Sequence, residues 1–354
     1  MNKTTACALL FMVAFLWGCG NVAQKTVLVH LGPFTVVGIT SLLGALIIWP
    51  YVMWEERSIS RLKIDRSCRL EHWIEISFIC IFFSGAVVTM QLGYGGTSVT
   101  NAGFLVNANV AMIPITAWFL AKERPNLFVI PSAILTCAGI WLMQGARFDK
   151  FNEGDLLSFV AAVLFAIWTP LVGRFVKAHG RPGFLTLCQF MVCGTACLTY
   201  AFSVETMTSA ALWQALPELI LLGIIGKGTC YLFMAVAQQH ASSSVASIIV
   251  SSEAVFGAIF ASFILFETIT NTGILGALLV SIATVTIQYP DLKFDGMFGH
   301  YARHQPVQKQ PVTNLSPPPN VIKPGDMCDR LVIQRSKACG PPYATGNPGK
   351  LQAD

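Results

Sequence analysis

Charge is what this 354-residue chain has least of. Only 12% of its residues are Asp, Glu, Lys or Arg, against about 25% in an average soluble protein. With 54% hydrophobic residues, too little polar surface remains to cover a water-soluble enzyme of this length. The same apolar content excludes disorder for most of the chain. The net charge of +5 is small, and no basic stripe with interleaved aromatics occurs, so nucleic acid is not an expected partner. The 11 cysteines include no C-x-x-C pair and no Cys/His cluster with zinc spacing, so they read as small packing residues in apolar runs. H-E-x-x-H is absent. Gly226-Lys227-Gly228-Thr229 resembles the end of a phosphate-binding loop, but Leu221 stands where that loop needs its first glycine. ATP-driven pumping by this chain alone is not expected.

What the chain does have is long apolar runs. A bilayer crossing takes about 20 such residues. Ten segments approach or meet that length, at 6–24, 33–54, 73–94, 98–121, 127–144, 156–176, 183–203, 217–238, 243–266 and 273–289. The breaks between them carry turn chemistry, as in Gly32-Pro33, Gly95-Gly96, Arg124-Pro125-Asn126 and Gly180-Arg181-Pro182-Gly183. The longest polar break, 55–72, is too small for a domain. The first run has Lys3 before it and no A-x-A-like cleavage site after it, which reads as an uncleaved first helix.

Orientation follows from basic residues in the short loops. With the N-terminus inside, the inner segments hold Lys3, Arg57, Arg61, Lys63, Arg66, Arg69, Lys122, Arg124, Arg174, Lys177 and Arg181. The outer loops hold Lys25, Arg147 and Lys150. The bias predicts both termini in the cytoplasm and a multi-pass protein of the plasma (inner) membrane. Trp49, Trp54 and Trp73 flank the 55–72 loop as interface anchors. Residues 290–354 are different material. They hold 10 of the 18 prolines, including Pro317-Pro318-Pro319, and are expected to form a disordered tail. His300 and His304 stand four apart there, too little for a metal site.

A displacement of 144 residues lays the chain on itself. Met90 falls on Met234, Ser98 on Ser242, Ala102 on Ala246, Val106 on Val250, Ala117 on Ala261, Phe119 on Phe263 and Glu123 on Glu267. Trp17 and Trp168 match at a different offset. The expected architecture is all-α and integral to the membrane, with ten transmembrane helices. Residues 1–145 form one five-span repeat, 146–289 a second, and 290–354 the tail. Five is odd, so the second repeat enters the bilayer from the opposite side. Such inverted repeats build many secondary transporters, with the solute site near the midplane between the halves.

Over about residues 6–289 the chain resembles the drug/metabolite transporter superfamily, in its EamA-like ten-span branch. The resemblance is carried by Ala14-Phe15-Leu16-Trp17-Gly18, by Thr100-Asn101-Ala102-Gly103-Phe104-Leu105 with Lys122-Glu123-Arg124-Pro125, and by Ala241-Ser242-Ser243-Ser244-Val245-Ala246-Ser247-Ile248-Ile249 followed by Glu253 and Glu267. Two residues depart from the family's pattern: Ala254, where a proline often follows the glutamate, and Lys227, where a small or apolar residue is usual. The resemblance implies export or exchange of small metabolites, often amino acids, without a bound cofactor. It allows a homodimer and does not require one.

Ionisable residues inside apolar runs mark functional candidates, since each costs about 2.5–3.5 kcal/mol on insertion scales. Lys227 and Glu253 each lie 13 residues from His240, in the turn between their spans. At about 1.5 Å per residue they share a depth. Two readings stay open. The pair is a structural ion pair locking two helices, or both line a cavity where one touches solute or carries a coupled proton. Lys227, Tyr231, Met234 and Gln238 follow helical spacing along one face. Asn101, Leu105 and Asn109 share a stripe of span 4, where Asn109 is the repeat counterpart of Glu253 and Asn107 points elsewhere. Trp17 and Asn21 in span 1, Gln91 and Tyr94 in span 3, and Trp168 in span 6 complete the candidate solute site. The packing alternative for each is a buried aromatic or an interhelical hydrogen bond. Arg174 is expected to snorkel toward headgroups. Glu123 and Glu267, at repeat-related span ends, suit interface charges or gate contacts.

Three functions fit these features. A secondary transporter of small solutes working by alternating access fits best, with the lipid bilayer and a small-molecule substrate as partners. The mix of acid, base, amides and aromatics suits a zwitterionic or amphipathic solute, an amino acid first. A polytopic enzyme acting on a lipid or isoprenoid would want its polar groups clustered at an interface rather than mid-bilayer. A channel would want a continuous polar stripe, which no span carries.

Overall fold

Apolar length and cap chemistry set the elements of the computed structural model, which describes residues 1–61, 70–97, 99–123, 128–143, 152–264 and 270–288. Among the described residues every regular element is helical. The first half contains α1 (Lys3–Thr26), a 3-10 turn (Val27–Val29), α2 (Pro33–Arg61), α3 (Leu70–Gly96), α4 (Val99–Asn107), α5 (Asn109–Ala121) and α6 (Val129–Met143). The second contains α7 (Glu153–His179), α8 (Pro182–Val204), the short α9 (Ser209–Gln214) and α10 (Leu216–Ile220), a π-helical segment (Leu221–Thr229), α11 (Cys230–Gln238), α12 (Ser243–Val250), α13 (Glu253–Ile264) and α14 (Asn271–Gln288). All lie in the unit Met1–Phe294. The Pro-rich tail, Ser98, Arg124, Pro125, Arg147, Lys150 and Glu267 lie outside the described residues.

Among the described residues, eight helical paths are long and apolar enough to cross a membrane, where the sequence led us to expect ten. Two expected crossings coincide with Val129–Met143 and Asn271–Ile287, which are apolar but shorter. The protein is an integral membrane protein. Its outer surface carries large apolar side chains such as Leu46, Ile81, Phe119 and Ile134, each more than 60% exposed, as hydrocarbon contact requires and water would penalise.

The helices pack in pairs that exchange when the halves are exchanged. α3, α4 and α5 pack on α7, while the π segment, α11, α12 and α13 pack on α1. α2 packs on α8, and α6 on α14. The α2–α8 pair is antiparallel and capped reciprocally. Glu55, late in α2, accepts from Gly183 N (3.1 Å) and Phe184 N (2.9 Å) at the start of α8. Glu205, just past α8, accepts from Phe34 N (2.9 Å) and Thr35 N (2.8 Å) at the start of α2. Each carboxylate meets unsatisfied N–H groups and the positive end of a helix dipole. α6 and α14 cross through Gly139 and Gly276, where a side chain on Gly276 would collide with the Gly139 carbonyl. Asn152 and Asp155 close a capping box at the start of α7, and Asp155 also accepts from Thr97 Oγ1 at 2.7 Å.

Candidate functional site

Two helical paths break at equivalent steps. α4 gives way to α5 at Ala108, and α12 to α13 at Ser251–Ser252. Ala108 and Ser252 are 144 residues apart, so Asn109 and Glu253 open the second half-helix of their respective paths. Local hydrogen bonds compete with the helix at both breaks. Asn107 Nδ2 donates to Gly103 O at 2.9 Å, and Ala108 N is shared between Phe104 O and Leu105 O. Ser251 Oγ donates to Ile248 O (2.7 Å) and Ser252 Oγ to Ile249 O (2.6 Å). Short polar side chains satisfying nearby carbonyls weaken helix continuity in this way. A third irregularity is the π segment, a rare winding concentrated at functional sites. Trp17 Nε1 donates to its Gly226 carbonyl at 2.7 Å.

These irregularities surround one cavity of about 120 Å3. Trp17, Asn21, Gln91, Tyr94, Asn109, Trp168, Lys227, Tyr231 and Glu253 all line it. Its walls come from the later parts of α1 and α3, the early part of α2, and the middle of α7. It therefore lies toward the bundle end that holds the Val27–Val29 turn. Tyr231 anchors the floor, with ring centroids 5.0 Å from Trp17, 5.3 Å from Phe83, 5.7 Å from Trp168 and 5.8 Å from Phe190. Trp168 Nε1 is held by Gln189 Oε1 at 2.5 Å. Gln91 Nε2 donates to Gln24 O at 3.0 Å. Gly18 lets α1 approach α13 closely, since a Cβ there would sit 2.5 Å from Phe256 Cβ and 2.9 Å from Glu253 O.

The other end carries contacts between the two halves. Glu123 accepts from Ser243 N (2.9 Å) and Ser243 Oγ (3.3 Å), capping α12, and pairs with Lys177 Nζ at 2.5 Å. At the cavity end Lys25 Nζ donates to Tyr94 O (2.5 Å) and Thr97 O (2.9 Å), a cation at the C-terminus of α3.

Several expectations about facing need correction. Lys227 and Glu253 make no ion pair. Lys227, 7% exposed, turns to α2, with Nζ donating to Ser41 Oγ at 2.7 Å and Val37 O at 3.3 Å. Glu253 Oε1 instead accepts from Asn107 Nδ2 at 3.3 Å. Both border one cavity, but a shared facing required two unbroken α-helices, and the π segment and the Ser251–Ser252 break reset the angle. For the same reason Asn107, rather than a stripe through Leu105, joins Asn109 at the cavity. Asn101 lies on α4, with its side chain outside the described residues. Gln238 is fully buried and does not line the cavity, with Nε2 3.4 Å from Thr169 O and no partner for Oε1 among the described residues. Arg174 does not simply snorkel: its guanidinium pairs with Glu75 at 2.8 Å and donates to Leu120 O.

Behind the cavity wall, around the Lys227 ammonium, stand groups that sequence reasoning missed. Ser41 donates toward Cys193 Sγ at 3.7 Å, and Cys193 and Cys197 stand with sulfurs 4.0 Å apart beside the Lys227 ammonium. The i,i+4 spacing of the cysteines was visible in sequence. Their meeting with α2 was not.

The sequence matches the EamA-like transporter family twice, over residues 4–144 and 152–289. An uncharacterized transporter of Archaeoglobus fulgidus is 24% identical, the alignment covering 78% of this chain and 84% of that one. An uncharacterized transporter of Clostridium kluyveri is 23% identical over 72% of this chain and 82% of its own. A WAT1-related chloroplastic protein of Arabidopsis thaliana is 21% identical over 78% and 68%. A solved crystal structure superposes with a TM-score of 0.65 at 15% identity, covering 81% of this chain and 97% of that one. At that identity the likeness speaks to the fold alone.

Proposed function

The chain belongs to the EamA-like transporter family, and from that premise we propose that it is a secondary-active transporter of small metabolites, amino-acid-like or amphipathic, working by alternating access in efflux or exchange. In this reading the chain crosses the plasma (inner) membrane ten times, as five-span repeats 1–145 and 146–289 of opposite sidedness. Both termini, and the 290–354 tail, lie in the cytoplasm. The cavity is the solute site. Asn109, Glu253, Lys227 and Tyr231 meet the solute's polar groups, and Trp17 and Trp168 its apolar surface. Asn21, Gln91 and Tyr94 line the way in.

One observation carries this reading. Two repeat-related helices break beside a single cavity and present Asn109 and Glu253 there as the first residues of their second half-helices. Discontinuous helices at matching positions of two repeats are how secondary transporters build midplane solute sites. The cavity extends toward one bundle end while Glu123, Ser243 and Lys177 tie the other, which suits one of two alternating states.

Counterflow in proteoliposomes tests it. Vesicles loaded with unlabelled metabolite and diluted into labelled metabolite should accumulate label transiently, which an enzyme acting on lipid would not produce. Glu253→Gln, which keeps shape and removes charge, should lower the initial rate by roughly 10-fold or more, the scale of one charge-assisted hydrogen bond. An unchanged rate would remove Glu253 from the solute site.

A further inference from the structure

Lys227 and Glu253 share a cavity without neutralising each other. The Lys227 ammonium rests on a hydroxyl and a backbone carbonyl, Ser41 Oγ at 2.7 Å and Val37 O at 3.3 Å. The Glu253 carboxylate has a neutral amide, Asn107 Nδ2 at 3.3 Å. Neither takes part in an ion pair among the described residues. The other titratable groups beside Lys227 are the thiols of Cys193 and Cys197. Beside Glu253 stand the phenol of Tyr94, which lines the same cavity, and that of Tyr231 on the floor. A buried charge is retained where something compensates it, and an uncompensated one is costly. Here neither charge has a counter-ion among the described residues, the two are opposite in sign, and both border the same cavity.

We propose that Lys227 is the subsite for an acid group, and Glu253 the subsite for a basic group, of one small solute that carries both. The inference rests on the transport reading above and narrows its substrate class. Ser41 and the Val37 carbonyl are the resting place of the ammonium when no acid group is present. Lys227 needs to turn only about its own flexible stem to reach a carboxylate in the cavity. Trp17 and Tyr231, which line the same cavity, offer ring surface to the rest of the solute. The lysine is thus a specificity-determining residue: it discriminates against amines that lack the acid group, because they leave its charge unanswered.

The test uses three probes and four proteins. The amino acid that counterflows best from a labelled mixture of the common amino acids is competed by itself, by its decarboxylated amine, and by its deaminated acid. Wild type should prefer the amino acid over either truncated form by roughly 10- to 100-fold, the span of a charge-assisted hydrogen bond. Lys227→Met should erase the preference over the amine and keep the preference over the deaminated acid. Lys227→Arg should keep both, which separates loss of charge from misfolding. The Cys193→Ser, Cys197→Ser double variant should also keep both. The inference falls if wild type treats amine and amino acid alike, if Lys227→Met still discriminates between them, or if the double serine variant behaves as Lys227→Met does. Counterflow of the amine or the deaminated acid in preference to every amino acid would leave transport standing and overturn this inference. Counterflow of no probe at all would overturn this inference, and failure of amphipathic metabolites in the same vesicles would overturn transport as well.

Discussion

Two regions stand 144 residues apart in sequence and take matching places in the fold: α3 with α4–α5, and the α10–π–α11 path with α12–α13. Both interrupt their second path at the same step, and each packs against the first helix of the opposite half. Their chemistry differs. In the register that lays Met90 on Met234, Phe83 stands where Lys227 stands and Asn109 where Glu253 stands. Phe83 is fully buried and packs on Trp168 and Phe190 at 5.6 Å between centroids. Its counterpart Lys227 is buried too, but on a hydroxyl and a carbonyl. α3 is continuous from Leu70 to Gly96, whereas its counterpart is wound as a π-helix over Leu221–Thr229. Symmetry therefore serves the positions of the breaks, and the two ionisable residues at the cavity are confined to one region. A duplicated scaffold can keep its packing rules while one copy specialises.

The comparison is sharpest where each region meets its partner helix. α13 approaches α1 over Gly18 with no room for a side chain, while α5 approaches α7 through a hydrogen bond, Thr116 Oγ1 to Ala166 O at 2.5 Å. Gly18→Val should have the largest effect of any change considered. It overpacks a backbone contact, at about 1–3 kcal/mol or more, and pushes on the Glu253 carbonyl. Folded yield and thermal midpoint in detergent should both drop, with counterflow lost. Thr116→Val keeps its volume and forfeits one hydrogen bond, about 1 kcal/mol. Equal losses of midpoint would mean that the two approaches are not different in kind. A smaller effect comes from exchanging the break residues. Glu253→Asn alone should cut counterflow, and adding Asn109→Glu should restore it by roughly threefold or more, about 0.7 kcal/mol of recovered solute interaction. No recovery would show that the acid must stand in the later region, and that symmetry of position does not extend to function.

Apolar length was the legible part of the fold. The segments expected at 6–24, 33–54 and 73–94 fall on α1, α2 and α3 because hydropathy over 20 residues does not depend on where a helix is kinked. That two ionisable residues border one cavity was legible too. Counting 13 residues from His240 brings both Lys227 and Glu253 to the cavity. Facing was not. An azimuth assumes 3.6 residues per turn without interruption, and one wide π turn or one break at Ser252 or Ala108 reorients everything beyond it. That is why the Lys227–Glu253 ion pair, one of the two readings the spacing allowed, does not form and why Asn107 reaches Glu253. Partners far along the chain carried no signal either: Ser41 and Cys193 meet Lys227 only because α2 and α8 pack together, a pairing that Glu55 and Glu205 fix through caps no spacing rule announces.

The smallest effects belong to the junction that joins the two regions, at the end away from the cavity. Glu123 terminates the earlier region and caps Ser243, which begins α12 of the later one. Its other partner, Lys177, is 35% exposed, and an exposed pair of this kind contributes about 0–1 kcal/mol. The cap contributes about 1 kcal/mol, because it satisfies an orphan N–H and sits at a positive helix end. Glu123→Gln retains an acceptor and loses the charge, so it should weaken the junction without unfolding the protein. If this junction holds the far end closed, a loss of about 1 kcal/mol raises the population open there by roughly fivefold. Gln238, fully buried, reports on that opening. Alkylation of Gln238→Cys, read at that cysteine by mass spectrometry, should speed up about fivefold or less with Glu123→Gln and change little with Lys177→Gln. Equal acceleration by both would assign the closure to the ion pair. Acceleration by neither would mean that the two regions are held together by packing along α5 and α12, and that the cap only tidies a helix end.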